Sequence, residues 1–432
     1  MTIVTIASHT FRESIRKRIL HVIIGISVLI IIVSLLIPVT DEPDARMKMI
    51  LVVFFQVVVI FCITGIILLA ATSLPCEIGD KTIFGILSKP VSRIQIITGK
   101  IIGFALLSVL VLATLSLLQI IVLQRTKAGL PEKYRGIVKA RSEIAASRFH
   151  VQGKTHHVRG GIVWIEGGRT GIAVWNFSGL YNKPHGTSYF EMEFNPKTES
   201  TGRLAGTIPL VIRIENVDSG KQRMDVIPAR ADEPFLVKIA PEVLKHGCDI
   251  QISAFPLNKT DYIGITRDNV RLYLAKEGFL LNYGKAVTIT FLKILLIMII
   301  AVMGSTYLSA PVTIAVAFII FICGHILDFI QDFSLLMHDH VHEHEHEHEH
   351  ILSEMVEKPD IFLPYIDILV KKILGWFSII LPDFKRYDSL EFLLKGIDIP
   401  LGTVGLSFGY TALYAGVCLF ISFLAFKRRE FF

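Results

Sequence analysis

The sequence predicts an α-helical, polytopic membrane protein of about six spans with an inserted all-β sandwich domain, jelly-roll-like, outside the membrane. Three observations lead to this fold class. Hydrophobic residues make up 52% of the 432 residues and the mean hydropathy is +0.56, which is too apolar for an ordinary soluble chain. The apolar residues form separate stretches of about 20 residues, the length that crosses a bilayer. Between them lies a polar region with short alternating runs, residues 125–285.

Six apolar stretches are long enough to be candidate spans. They are residues 19–39, 49–71, 100–123, 286–308, 311–330 and 404–426. The last is the weakest, because Gly405, Gly409 and Gly416 dilute its apolar character. Totals of five or seven spans stay open at this point.

Basic residues near the ends of these stretches predict the orientation of the chain. The clusters are Arg12, Arg16, Lys17 and Arg18; Lys81, Lys89, Arg93 and Lys100; and Lys427, Arg428 and Arg429. With six alternating spans, every cluster lies on one face, which the positive-inside rule assigns to the cytoplasm. We therefore expect a multi-pass protein of the inner or plasma membrane with both termini cytoplasmic. The net charge of +6 then reflects contact with lipid headgroups and needs no nucleic-acid partner.

The N-terminal segment, residues 2–18, has two interpretations. Apolar Val4, Ala7, Phe11 and Ile15 recur at helical spacing beside basic residues, which predicts a helix lying in the membrane interface. The alternative is a basic flank that only sets topology. A cleavable signal peptide is disfavoured, because the first apolar stretch is too long and lacks a small-residue cleavage pattern.

The polar region 125–285 predicts the inserted domain, between spans at 1–124 and 286–432. A polar helix is expected over 132–148, followed by strands of period two separated by turn residues. The predicted strands are 162–165, 171–177, 189–194, 209–215, 235–239, 250–255 and 270–274. Seven or eight such strands are typical of an antiparallel sandwich. Its aromatic residues Trp164, Trp175, Phe177 and Tyr181 could bind sugars or lipids, but alternation in strands favours the core.

The loop at 73–100 carries a specific pattern. An acidic residue precedes a short amphipathic segment that ends in Pro90-Val91-Ser92-Arg93. In this pattern the loop resembles the one between the second and third spans of ATP-binding-cassette type-2 exporter permeases. The residues that carry the resemblance, in order, are Glu77, Thr82, Leu87, Pro90, Val91, Ser92, Arg93 and Lys100. It extends over about the first 125 and the last 150 residues, and the inserted domain departs from the simplest members.

The resemblance implies the permease subunit of an exporter, in which a separate ATPase subunit binds ATP and pushes on this loop. The residues expected to couple to that ATPase are Glu77, Lys81, Thr82, Ile83, Leu87, Pro90 and Arg93. Arg93 and Lys100 would hold the loop at the anionic leaflet. A second permease copy, identical or related, and a hydrophobic or amphipathic substrate are also implied. A solvated connecting loop is the alternative.

This chain has no phosphate-binding GxxxxGK[ST] loop, so we expect no enzymatic activity and no cofactor of its own.

Two rival functions stay open. One is a binding or sensing protein with the sandwich as receptor.

The other rival is a metal-ion carrier. It would use a histidine run with tentative ligands His338, His340, His342, His344, His346, His348 and His350. Such an alternating tract lacks fixed ligand geometry. His325, Asp328 and Asp332 share one helix face, but Lys293, the other charge in the spans, would repel a cation. A short amphipathic outer helix is expected over 365–381.

Overall fold

A computed structural model of the chain shows two compact units. The residues it describes are 3–36, 43–82, 91–128, 140–153, 155–159, 162–168, 171–178, 190–194, 197–200, 207–230, 235–239, 249–276, 278–325 and 381–428. The first unit comprises Met1–Arg135, Tyr283–Glu391 and Ile399–Phe432, and the second comprises Gly136–Asn282 and Phe392–Asp398.

The helices occupy the apolar part of the sequence. They are α1 (Ile3–Arg16), α2 (Arg18–Val33), α3 (Pro43–Val52), α4 (Val59–Gly79), α5 (Arg93–Ala128), α6 (Phe279–Ser305), α7 (Ala310–His325), α8 (Leu390–Leu394) and α9 (Leu401–Arg428). A six-residue π-helical stretch, Val53–Val58, joins α3 to α4 without a break.

Four helices are long and apolar enough to cross a membrane: Arg46–Gly79, Arg93–Ala128, Phe279–Ser305 and Leu401–Ala425. Each overlaps one of the predicted spans, 49–71, 100–123, 286–308 or 404–426. The predicted spans at 19–39 and 311–330 coincide instead with shorter apolar helices, Arg18–Val33 and Ala310–His325. The chain is therefore a largely helical protein with four candidate membrane spans among its described residues.

Several hydroxyl groups inside the candidate spans are satisfied within their own helices. The Thr64 hydroxyl donates to the Ile60 carbonyl, and those of Ser108 and Thr114 likewise donate to the carbonyl four residues earlier. A hydroxyl without such a bond would be costly in hydrocarbon, so these bonds let small polar residues occupy the spans.

The N-terminal helix α1 packs on the beginning of α5. Its buried residues are Ile6, Ala7, Thr10 and Ser14. They face Gly99 and Gly103, where an added Cβ would lie 2.8 Å from the Ile6 Cβ and 2.7 Å from the Ala7 carbonyl oxygen. Two glycines four residues apart thus allow the helix backbones to approach closely. Val4, on the predicted membrane-facing side of α1, is exposed.

The second unit contains antiparallel strands in three sheets. The strands are β1 (Ala140–Ala145), β2 (Arg148–Gly153), β3 (Thr155–Arg159), β4 (Ile162–Glu166), β5 (Gly171–Phe177), β6 (Phe190–Phe194), β7 (Lys197–Ser200), β8 (Ile208–Asn216), β9 (Gln222–Ala229), β10 (Phe235–Ile239), β11 (Ile250–Pro256), β12 (Asp261–Ile265) and β13 (Val270–Lys276). The sheet orders are β1-β13-β6-β10, β2-β5-β11-β8-β9 and β3-β4-β12-β7.

One hydrophobic core joins the three sheets. Phe194 of the first sheet, Trp175 of the second and Ile263 of the third all belong to the same buried cluster. The alternation in β8 explains the arrangement, because Leu210, Ile212 and Ile214 are buried in it while the residues between them point the other way. All seven predicted strands therefore coincide with observed strands, and their apolar faces form the core.

The polar helix predicted over 132–148 is wrong from residue 140 onward. Residues 140–145 form strand β1, which pairs with β13 along its whole length, from Ala140 opposite Lys276 to Ala145 opposite Arg271. The local sequence Ala-Arg-Ser-Glu-Ile-Ala suits a helix, but pairing with a neighbouring strand overrides that weak preference.

A short segment from late in the chain also belongs to the second unit. The Arg141 amide donates to the Gly396 carbonyl at 2.7 Å, and the Asp398 amide donates to the Arg141 carbonyl at 2.6 Å. The Asn282 side-chain amide donates to the Ile397 carbonyl at 2.8 Å. Residues 392–398 therefore extend the edge of the sheet at β1, a contribution that the sequence pattern did not predict.

Candidate functional site

The ends of α4 and α5 that flank the loop at 73–100 are joined by a buried ion pair. The Lys100 ammonium donates to Glu77 Oε1 at 2.5 Å and to Ser73 Oγ at 2.7 Å. The Lys100 side chain is 3% exposed and the Glu77 side chain 15% exposed. Ser73 and Glu77 are one helical turn apart on α4, so both reach the same ammonium.

This pair corrects the expected role of Lys100. The sequence predicted an ammonium held at the anionic leaflet, whereas the structure buries it between helices. A buried ammonium needs a carboxylate partner, since desolvation of an unpaired charge is costly. Glu77 supplies that partner through one oxygen. Its other oxygen, Oε2, is buried and has no hydrogen-bond partner among the residues that the structure describes.

The described part of the loop continues directly from this pair. The Thr82 hydroxyl donates to the Glu77 carbonyl at 3.2 Å, and Lys81 ends the helix in the left-handed conformation with φ 59°. Both residues are exposed. A non-glycine residue in that conformation is uncommon and terminates helices. The predicted coupling residues Ile83, Leu87 and Pro90 lie outside the described residues.

The loop ends where α5 begins. The Ser92 amide donates to the Gln95 side chain at 3.1 Å, and Arg93 is the first residue of α5. Arg93 therefore lies where the loop that contains Lys81 and Thr82 ends along the chain. The structure therefore describes four of the seven predicted coupling residues: Glu77, Lys81, Thr82 and Arg93.

A narrow apolar cavity lies deeper among the helices. Residues of α2, α4, α5 and α6 line it, including Ile23, Cys62, Leu69, Ser108, Leu112 and Ile294. The Ser108 hydroxyl is bonded to the Phe104 carbonyl, so it offers no free donor to the cavity. The cavity, of about 20 Å³, is therefore a small apolar void.

A second cluster of charged and aromatic residues surrounds the segment before α9. The Lys293 ammonium of α6 lies 5.9 Å from the centre of the Phe321 ring, and Asp388 acts on it electrostatically. The His325 ring stacks on Phe384 with centroids 5.4 Å apart. Lys293 thus has an acidic neighbour that lies far from it in sequence. Asp388 lies outside the predicted spans, so it was not considered when Lys293 was expected to be the other charge in the spans.

Hydroxyl groups of α9 hold the same segment. The Asp383 amide donates to the Tyr410 hydroxyl at 2.9 Å, and Tyr387 shares a hydrogen bond of 2.7 Å with Thr411. Burial raises the pKa of Tyr387 to about 12, so this hydroxyl stays protonated at physiological pH. The first bond satisfies a backbone amide of an irregular segment, and the second pairs two buried hydroxyl groups.

Of the residues considered for a metal site, the structure describes His325. His325 ends α7, with its Nδ1 2.8 Å from the Phe321 carbonyl oxygen. Asp328, Asp332, the histidine run at 338–350 and the amphipathic helix at 365–381 lie outside the described residues. Within the described ranges there is no group of three or more histidine, cysteine, aspartate or glutamate residues that could hold a metal ion.

The aromatic residues of the second unit are mainly core residues. Trp175 and Phe177 are fully buried, and the Trp175 ring meets Phe194 edge-on with centroids 5.5 Å apart. Trp164 is half-buried on β4, and Tyr181 lies outside the described residues. The core interpretation is thereby confirmed for Trp175 and Phe177.

Comparisons with known proteins give little further information. No family model and no curated protein matches the chain. One similar solved structure is the enzymatically active domain of tailspike protein 4 of bacteriophage CBA120, at 12% identity over 32% of this chain and 19% of that chain, with a TM-score of 0.19. Another is the Clostridium thermocellum xylanase 10B modules complexed with xylohexaose, at 14% identity over 32% and 28%, also with a TM-score of 0.19. The alignments cover less than a third of this chain and of each matched chain, and likeness this low implies no shared function.

Two features of the site were not predicted from the sequence. The first is the Ser73–Glu77–Lys100 contact, although Ser73 and Glu77 are spaced by four residues as neighbours on a helix face are. The second is the Gly99–Gly103 contact with α1, for which the spacing of the two small residues was a readable signal.

Proposed function

We propose that the chain is the membrane subunit of an ATP-driven exporter of the ATP-binding-cassette type-2 kind. A separate ATPase docks on the loop at 73–100, and a second permease copy completes the complex. The observation that carries the proposal is the Glu77–Lys100 pair, which fastens the base of that loop to two helices. A force applied to the loop then moves α4 and α5 together.

Several features support this assignment. The exposed Lys81 and Thr82 follow directly after the fixed Glu77, so they offer contacts to a partner beside a firm base. Helix α1 packs against the same end of α5 through Gly99 and Gly103. The chain itself lacks a nucleotide-binding loop, so a partner must supply the energy. We place six spans in the membrane, both termini in the cytoplasm, and the β-sandwich unit outside.

Thiol labelling tests the orientation. Two single-cysteine forms of the full chain would keep either Cys76, which is exposed beside Glu77, or Cys248, in the predicted outer domain. We expect a membrane-impermeant maleimide to label Cys248 in intact cells and Cys76 only after permeabilisation. Labelling of Cys76 in intact cells would place the loop outside and overturn the proposal.

Charge reversal tests the docking of the ATPase. The full chain is purified from its native membrane, and the ATPase subunit retained with it is quantified together with ATP hydrolysis. Lys81→Glu is expected to lower retention about fivefold, the ratio that a loss of ~1 kcal/mol gives. Arg125→Glu is the matched control, because Arg125 is exposed at the opposite end of α5.

If Lys81→Glu and Arg125→Glu retained equal amounts of the ATPase subunit, docking at this loop would be contradicted. Retention of a signalling protein in place of an ATPase would support the sensing alternative. The Glu77 and Leu87 double change is a less specific test, since loss of Glu77 also leaves the Lys100 ammonium unpaired.

A further inference from the structure

One face of the five-stranded sheet in the second unit carries side chains that the hydrophobic core does not use. The sheet has the order β2-β5-β11-β8-β9. Trp175 of β5, Ile252 of β11 and Ile214 of β8 belong to the buried core cluster. Side chains alternate along a strand, so the residues next to these three point to the opposite side of the sheet, which we call the outer face.

A row of polar residues crosses the outer face, with one residue from each strand. The pairing places Arg148 opposite Asn176, Asn176 opposite Gln251, Gln251 opposite Glu215, and Glu215 opposite Gln222. We call these five residues the polar row. Polar side chains opposite one another on neighbouring strands commonly bond each other. Within the described part of the chain, no side chain of the polar row has a hydrogen bond or an ion pair, so its donors and acceptors are available to a ligand.

Arg213 lies beside the polar row on the outer face. It is opposite Ser253 of β11 and Met224 of β9, two residues before Glu215 on the same strand. Its Nε is buried, and its guanidinium has no hydrogen-bond partner among the residues that the structure describes. A buried N–H group without an acceptor is costly. The guanidinium is therefore suited to receive an acceptor from outside the chain.

The surroundings of Arg213 are partly shielded from water. Val174, Val211 and Ser253 in the middle of the outer face are buried, whereas Met224 and Val226 on the edge strand β9 are exposed. An anion bound at Arg213 therefore competes with less water than an anion bound at the exposed edge, which strengthens a charged hydrogen bond.

The residue types on this face specify the chemistry of the ligand. The planar fork of an arginine matches a carboxylate, which it binds through two parallel hydrogen bonds. Asparagine and glutamine side chains both donate and accept, as hydroxyl groups do. Strands about 4.8 Å apart give the polar row a length of about 19 Å. A carboxylate attached to an extended chain of hydroxyl groups matches this arrangement.

The same arrangement disfavours an acidic peptide. An extended peptide gains most of its affinity by pairing its backbone with the open edge of a sheet. Three residues of the polar row lie instead on β5, β11 and β8, which are paired on both sides. Glu215 would also repel a chain with a carboxylate on every residue, whereas it accepts hydrogen bonds from hydroxyl groups.

We propose that the outer face binds an acidic oligosaccharide, with one carboxylate on Arg213 and neighbouring hydroxyl groups on the polar row. This proposal goes beyond the exporter function and does not depend on it. Recognition would use polar groups and not ring stacking, because Trp175 and Phe177 are in the core on the other side of the sheet.

Titration calorimetry of the full chain in phospholipid nanodiscs tests the proposal without any ATPase. The probes are hexagalacturonate, its methyl ester and hexaglutamate. Hexagalacturonate is expected to bind about tenfold more tightly than the ester, because esterification removes the charge and keeps the ring hydroxyl groups. Hexaglutamate, which has the charge without the hydroxyl groups, should bind no more tightly than the ester.

Three results would overturn the proposal. They are equal affinity for the acid and its ester, hexaglutamate binding as tightly as hexagalacturonate, and a Kd for hexagalacturonate weaker than about 1 mM. The second result would identify the ligand as an acidic peptide.

Two arginine variants provide a matched comparison. Arg213→Gln should weaken binding of hexagalacturonate about tenfold and leave binding of the ester unchanged. Arg223→Gln should change neither, since Arg223 lies on the other side of the same sheet and its Nε donates to Asp225 at 2.9 Å. Equal losses in the two variants would refute the role of Arg213.

A third variant tests the polar row. Gln251→Ala should weaken binding of the acid and of the ester alike, by about threefold, because a contact to a hydroxyl group does not depend on the carboxylate. Unchanged binding of both would refute the role of the polar row. Limited proteolysis within 136–282 confirms that each variant is folded, and its rate should stay the same because Arg213 and Gln251 have no side-chain partner among the described residues.

Discussion

Lys100→Met is expected to destabilise the first unit by about 3–5 kcal/mol, because it leaves the buried Glu77 carboxylate without its cation. The double variant Lys100→Met with Glu77→Leu should recover most of this loss, since a hydrophobic pair of similar volume avoids desolvating two charges. The measurement is unfolding of the purified full chain in nanodiscs, followed by the far-ultraviolet circular dichroism of its helices.

A surface pair on α1 provides the control. Lys17 lies 3.2 Å from Glu13, and their side chains are 28% and 38% exposed. Lys17→Met should cost only about 0.3–0.5 kcal/mol, because solvent screens this pair. If Lys100→Met costs no more than Lys17→Met, then the ion pair does not hold α4 to α5 and the proposed firm base of the loop is wrong.

Trp175→Ala is expected to cost the second unit about 3–5 kcal/mol, the range for truncating a large buried aromatic residue. The Trp175 ring is fully buried, and its indole nitrogen donates to the Thr266 carbonyl at 3.3 Å. Truncation therefore leaves a cavity and an unsatisfied carbonyl together. Limited proteolysis of the full chain checks the result, with faster cleavage expected within 136–282 and unchanged cleavage of the helical part.

Trp164→Ala is the matched control, since Trp164 lies half-buried on β4 of the same unit. It should accelerate cleavage less than Trp175→Ala does. Equal acceleration would mean that Trp175 has no special place in the core. If a ligand slowed proteolysis by binding Trp175 from outside the core, the core assignment of Trp175 would also be contradicted.

Seven of the thirteen described strands and four of the six apolar spans were predictable, because each depends on a local pattern. A stretch such as 100–123 is apolar over the whole bilayer thickness, and Ile212 and Ile214 alternate with the polar residues Arg213 and Glu215. Strand β1 was not predictable, because residues 140–145 take their conformation from β13, more than a hundred residues later. The pairing of residues 392–398 with Arg141 is nonlocal in the same way.

The loop pattern indicated the region around Glu77 as a candidate site, but it did not predict the contacts within that region. Charge near a span end suggested that Lys100 meets lipid, and only the packing of α4 on α5 shows that it meets Glu77. The acidic neighbour of Lys293 was equally hidden, since Asp388 follows in a segment with no span pattern. Sequence spacing describes faces within one helix, whereas such pairs depend on how helices are placed side by side.

The π-helical stretch Val53–Val58 determines where the long helix 46–79 tolerates a change in length. A wide turn holds one extra residue, and a single residue corresponds to a rotation of about 100°. Deleting one residue inside 53–58 would convert the wide turn to a regular one. The faces that residues 59–79 present to their neighbours would then stay the same. Deleting one residue between 59 and 72 would instead rotate Ser73 and Glu77 by about 100° relative to the preceding part of the helix. Both side chains would then point away from Lys100.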